Sequence, residues 1–118
     1  PQQYRQAVAR CVDYIAAGYD GLLLGGGIFN GLLAGRIIEA VQAGDLAQGK
    51  ALQERMNQLM YDVYGGETIT CWLTGLKELL VRLGVFSTNA SFLNYPLTPE
   101  CSAAIDAAIE RERDVLLP

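Results

Sequence analysis

Apolar residues return at helical spacing at the start of the chain, where Tyr4, Val8, Cys11, Val12 and Ile15 would share one face. That spacing predicts a helix from about Gln3 to Ala17, with Gly18 placed to end it. The period then breaks. Leu22, Leu23 and Leu24 form a continuous apolar run bounded by Asp20-Gly21 on one side and Gly25-Gly26-Gly27 on the other, a pattern that predicts a short strand buried on both faces. Helical spacing resumes with Leu33, Ile37, Ile38 and Val41, capped at its start by Asn30 and stopped by Gly44. Asp45 followed by Gln48 has capping-box spacing and opens a third helix carrying Leu46, Leu52, Met56, Leu59, Met60 and Val63, which Gly65-Gly66 ends. Trp72, Leu73, Leu76, Leu79, Leu80 and Leu83 mark a fourth helix closed by Gly84. Residues Val85 to Leu97 show no clear period. Thr98-Pro99-Glu100 then combines a cap, a preset φ and an acidic first turn, and opens a fifth helix with Cys101, Ala104, Ile105, Ala108 and Ile109 on one side.

A lone strand buried on both faces would leave its backbone N–H and C=O groups without ladder partners, at roughly 1–3 kcal/mol for each group left unsatisfied. The expectation is therefore that its neighbours lie outside these residues, and that helix, strand, glycine turn and helix are half of a repeating βα unit. No repeat, low-complexity segment or composition break divides the 118 residues.

Composition narrows the function. Apolar residues make up 51% and charged residues 19%, a globular balance, and no apolar run approaches the roughly 20 residues of a membrane span. No signal-type segment opens the chain, so the expected location is the cytoplasm, with no membrane partner. The net charge is −4 and the basic residues are scattered, which argues against nucleic acid as a partner. There is no histidine, which excludes histidine-containing zinc sites and Ser-His or Cys-His nucleophiles, and no metal is expected. Cys11, Cys71 and Cys101 are far apart in sequence and sit in apolar helical contexts, as buried free thiols do. Lys50 and Lys77 fall on predicted helices, where a solvated charge or surface ion pair is the expected role.

Four segments in order carry a resemblance: Gly18-Tyr19-Asp20-Gly21-Leu22-Leu23-Leu24-Gly25, Ala34 to Leu52, Gly75-Leu76-Lys77-Glu78-Leu79-Leu80, and Tyr95-Pro96-Leu97-Thr98. Together they resemble the C-terminal third of the N-acetylneuraminate lyase and dihydrodipicolinate synthase family. The resemblance implies an α/β fold class: residues 1–44 would be the end of a (β/α)8 TIM barrel, with its last strand and helix, and residues 45–118 a three-helix C-terminal extension, mostly α-helical by content. Members of that family bind pyruvate or a related 2-oxo acid as a Schiff base on a lysine, whose imine acts as an electron sink for lyase, aldolase or dehydration chemistry. The family's lysine, its proton-transfer tyrosine and its carboxylate-binding turn belong to segments that do not occur in these residues. The resemblance thus implies no catalytic residue here, no cofactor, a 2-oxo acid bound through the parent enzyme, and a homo-oligomer. It implies a substrate-binding role for Gly25, Gly26 and Gly27, which would border the cavity at the end of the strand.

Two other readings compete. The turn Gly25 to Gly31 could present N–H groups to a phosphate, but its spacing is G-x-G-x-x-x-G, and the region about 20 residues on, where a dinucleotide site needs an acidic strand end, reads as helix. A non-catalytic all-helical interaction module would explain the apolar stripes but neither the predicted strand nor the ordered motifs. Asn89-Ala90-Ser91 fits a glycosylation acceptor by chance.

Overall fold

A computed structural model of the protein describes residues 10–92 and 95–116. Its element order is α1 (Cys11–Ala16), α2 (Gly27–Gln42), α3 (Leu46–Tyr64), α4 (Trp72–Arg82), α5 (Pro99–Arg111) and α6 (Arg113–Leu116). The described residues contain no strand. The chain clusters into two units, Pro1–Gln58 and Leu59–Pro118, and α3 runs from one into the other.

In the first unit α1 packs on α2. The buried residues of α2 include Phe29, Leu33, Ile37 and Val41, spaced four apart so that they form one stripe. Cys11, Val12 and Ile15 of α1 are buried with them, as are Leu52 and Met56 from the first half of α3. Tyr4 and Val8, expected on the same face as Cys11, lie outside the described residues. Gln53, itself buried, accepts the Val12 backbone N–H on its Oε1 at 2.8 Å, which satisfies a first-turn donor that α1 cannot pair internally.

Helix ends follow their sequence signals. Gly44 has φ 83°, its N–H donates to Val41 O at 3.0 Å, and the Asp45 N–H donates to Ala40 O at 2.9 Å. That is a Schellman closure, and it requires the left-handed residue that glycine supplies. Gly18 and Gly84 close α1 and α4 with the same pair of bonds. Asp45 Oδ1 accepts the Gln48 N–H at 3.1 Å at the start of α3, and Thr98 Oγ1 accepts the Cys101 N–H at 3.1 Å at the start of α5.

The predicted strand does not form, and with it the α/β barrel assignment fails: the described chain is all-α and is not part of a (β/α)8 barrel. Leaving α1 through Gly18, residues 19–24 run to the Gly25-Gly26 turn without a ladder bond; Leu22 and Leu24 are half-buried and Leu23 is fully exposed. A three-residue apolar run has no periodicity to specify a face, and no described residue pairs with it as a strand.

The second unit buries Leu59, Met60 and Val63 from the end of α3, Leu76, Leu79 and Leu80 from α4, and Cys101, Ile105 and Ala108 from α5. Gly75 allows the closest approach. A Cβ there would lie 1.9 Å from Val63 O, so only hydrogen fits. The irregular stretch after α4 is held by one face of that helix: Thr74 Oγ1 donates to Tyr95 O at 2.7 Å, Lys77 Nζ to Ala90 O at 2.8 Å, and Glu78 Oε2 accepts from Asn89 Nδ2 at 2.8 Å. Ion pairs join the helices, Arg111 with Asp62 at 2.7 Å and Arg82 with Asp106.

Candidate functional site

The glycines expected to bind substrate sit at a turn into a helix rather than at the end of a strand. Gly25 and Gly26 make the turn and Gly27 begins α2. The Gly27 N–H donates to Leu24 O at 3.1 Å, while Gly26 O accepts from Phe29 N–H at 3.1 Å and Asn30 N–H at 2.9 Å. Most of the first-turn donors are thereby used internally, which leaves little of the anion-binding capacity of an open helix end. Neither Gly25 nor Gly27 has a left-handed φ, and a Cβ on either would meet nothing within 4 Å. Within the described residues nothing forces glycine at these two positions.

Asn30 was expected to cap α2, but α2 begins at Gly27 and places Asn30 inside the first turn. Its side chain is 0% exposed, and neither Oδ1 nor Nδ2 has a hydrogen-bond partner. A buried amide can accept two hydrogen bonds and donate two, so this side chain offers recognition capacity for a polar group beside the glycine turn. Asn30 is therefore not the cap of α2 but a buried polar residue within it.

The two lysines lie where their helical placement predicts, Lys50 exposed on α3 and Lys77 half-buried on α4 and bonded to Ala90 O. No group of three or more Cys, Asp or Glu gathers as a metal cluster among the described residues.

A second cluster was not anticipated. The three cysteines are free and buried, as expected, but two of them meet. Cys71, the residue preceding α4, and Cys101, the third residue of α5, converge on Thr98, and each influences the other's ionisation. Cys71 Sγ is 3.7 Å from Thr70 Oγ1 and 3.8 Å from Thr98 Oγ1, and Cys101 Sγ is 3.7 Å from Val63 O. Burial pushes the Cys71 thiol up, but the hydrogen bonds from Cys101, Thr98 and Thr70 outweigh it and bring the group below its ordinary range. For Cys101, burial and then the bond to Cys71 and its charge push the thiol up to about 12. The pair is thus asymmetric, one sulfur prepared to ionise and the other to keep its proton. The only sequence signal for it is that each cysteine sits at a helix start; the contact itself spans two separate helices.

Compared with known proteins, the chain matches no protein-family model, and no curated protein matches it.

Proposed function

We propose that this chain is a non-catalytic helical segment of a Schiff-base-forming lyase or aldolase acting on pyruvate-derived 2-oxo acids, with the reactive lysine and the proton-transfer tyrosine supplied from outside these 118 residues. The four ordered segments similar to the N-acetylneuraminate lyase and dihydrodipicolinate synthase family support the chemistry. One structural observation supports the placement of the site: the fully buried Asn30 amide has both polar atoms unpaired beside Gly25, Gly26 and Gly27. In this reading the amide and the glycine turn take a carboxylate, carbonyl or hydroxyl of the 2-oxo acid, and the glycines leave room where a side chain would intrude. In this reading the enzyme is a cytoplasmic homo-oligomer. No helix among the described residues is long and apolar enough to cross a membrane.

A second reading, a helical interaction module without any part in catalysis, is favoured by the exposure of Tyr19, Leu23, Ile28 and Leu32 in the first unit. These side chains are large, and exposed apolar surface of this kind suits a face that another protein covers.

Borohydride reduction in the presence of pyruvate separates the readings. The 118-residue chain alone should gain no mass, and an adduct on Lys50 or Lys77 would overturn the non-catalytic assignment. The longer polypeptide that carries these residues should gain one reduced pyruvate, and Asn30→Ala within it should raise KM for the 2-oxo acid about tenfold or more, as expected for loss of one buried hydrogen-bond group. A longer polypeptide that forms no adduct leaves the interaction module.

A further inference from the structure

We propose that Cys71 and Cys101 are a peroxide-oxidisable pair that closes to a reversible intramolecular disulfide within the Leu59–Pro118 unit. The inference does not depend on the lyase reading. The two cysteines converge on the same few atoms: Thr98 Oγ1 lies 3.8 Å from Cys71 Sγ and accepts the Cys101 backbone N–H at 3.1 Å, Cys101 Sγ is 3.7 Å from Val63 O, and a Cβ at Gly75 would lie 1.9 Å from that same oxygen and 3.4 Å from Cys71 Cβ. Thiols gathered in one such cluster need little backbone movement to bond, which is the usual obstacle to forming a disulfide.

The surroundings assign the order of reaction. Cys71 immediately precedes the eleven-residue helix α4 and lies beside two hydroxyls; Thr70 donates its proton to Gly65 O, while Thr98, which accepts the Cys101 N–H, keeps its own proton to donate to a thiolate. Cys101 is packed deeper, against Val63 O, with Asp62 opposing its ionisation and Arg82 favouring it. Cys71 is therefore the first sulfur to react and Cys101 the second. Both are buried, at 0% and 3% exposure, but Cys71 lies between the exposed Thr70 and the 41%-exposed Trp72. The turn before it carries Gly65 and Gly66 in left-handed conformations and Ile69 at φ 55°, which a β-branched residue rarely adopts. In the proposed reaction peroxide reaches Cys71 by opening of this turn.

The oxidant is a small hydroperoxide. The Cys71 thiolate attacks one peroxide oxygen, the O–O bond breaks, and with one proton taken up a water leaves; Cys71 is then a sulfenic acid. The Cys101 sulfur attacks the Cys71 sulfur, the S–O bond breaks, and the hydroxide departs as a second water with the Cys101 proton. Two thiols lose two electrons and two protons, and hydrogen peroxide takes them up to become two waters. A dithiol reductant reverses the change by thiol–disulfide exchange.

Cys11, buried in the other unit and with its thiol raised by burial, is the internal control. The full chain is treated with equimolar hydrogen peroxide, quenched, alkylated in denaturant and mapped by mass spectrometry. The expected product has lost two hydrogens, carries one alkyl group on Cys11 and yields a linked peptide pair containing Cys71 and Cys101; dithiothreitol restores three alkylatable thiols. A chain that keeps three thiols, or that links Cys11, overturns the proposal. Cys101→Ser should halt the sequence at a Cys71 sulfenic acid, trapped by dimedone at least about tenfold faster than any label on Cys11. Equal labelling of the two would also overturn it, and if Cys101→Ser fails to fold, the wild-type map decides alone.

Discussion

Asn30 and Gly75 show opposite ways in which one residue can matter. Asn30 holds an amide out of water with neither polar atom paired, an arrangement that costs about 1–3 kcal/mol for each group left unsatisfied. Leucine has nearly the same shape and no such debt, so Asn30→Leu should stabilise the chain by about 1–2 kcal/mol and raise Tm by several degrees. Thermal unfolding followed by circular dichroism reads this directly; a lower Tm would mean that Asn30 already makes its bonds through bound water. A residue kept against stability is what a binding role looks like. Gly75 works through space instead. Replacing a helical glycine by alanine normally stabilises by about 1 kcal/mol, and Gly31→Ala, whose Cβ would meet nothing, should do so. Gly75→Ala drives a Cβ to 1.9 Å from Val63 O and should instead destabilise by about 2 kcal/mol or more, seen as a lower urea midpoint. Neither property was legible in the sequence. Asn30 read as a cap because Asn before an apolar stripe usually is one, and Gly75 read as one residue of a motif, since its neighbour Val63 comes from another helix.

At the level of elements, the sequence was most informative where the physics is local. Gly18, Gly44 and Gly84 end helices because a left-handed residue lets its own N–H and the next one close on the last turn, and Thr98-Pro99 starts one because its side chain and fixed φ act within a single turn. The Thr98 cap is testable on those terms: Thr98→Ala should cost about 1 kcal/mol through loss of the bond from Cys101 N–H, while Thr98→Ser should cost much less. Equal losses for both substitutions would mean that the methyl group, not the hydroxyl, matters. Amphipathic period placed most of the buried stripe of α3, Leu52, Met56, Leu59, Met60 and Val63, although Leu46 at its start is exposed. The strand reading failed because it rested on three leucines and their glycine boundaries. A run that short specifies neither period nor partner, and pairing is a property of two segments, not one.

Across the whole molecule, what escapes a linear reading is the set of contacts made between distant segments: the bond from Val12 to Gln53, the pairing of Arg111 with Asp62, and the meeting of Cys71 with Cys101. Burial of titratable groups, one of that cysteine pair among them, makes the protein's stability sensitive to alkali. Burial raises the thiols of Cys11 and Cys101 and the phenol of Tyr64, so the folded chain holds these protons to higher pH than the unfolded chain does. Above about pH 8.5, where an unfolded cysteine ionises, the unfolded state therefore binds fewer protons than the folded one, and stability falls as pH rises. Cys71 acts in the other sense, because its folded thiol is lowered; it adds stability as pH rises to the same point and nothing beyond it. Stability should accordingly hold or rise slightly up to about pH 8.5 and then decline continuously toward about pH 12, where the Cys101 proton is lost. Urea midpoints measured across that range check the sign, and closing the Cys71–Cys101 disulfide should remove the larger part of the decline by removing both thiols, leaving the contributions of Cys11 and Tyr64. A decline of unchanged slope in the oxidised protein would assign the alkaline loss to those two groups and not to the pair.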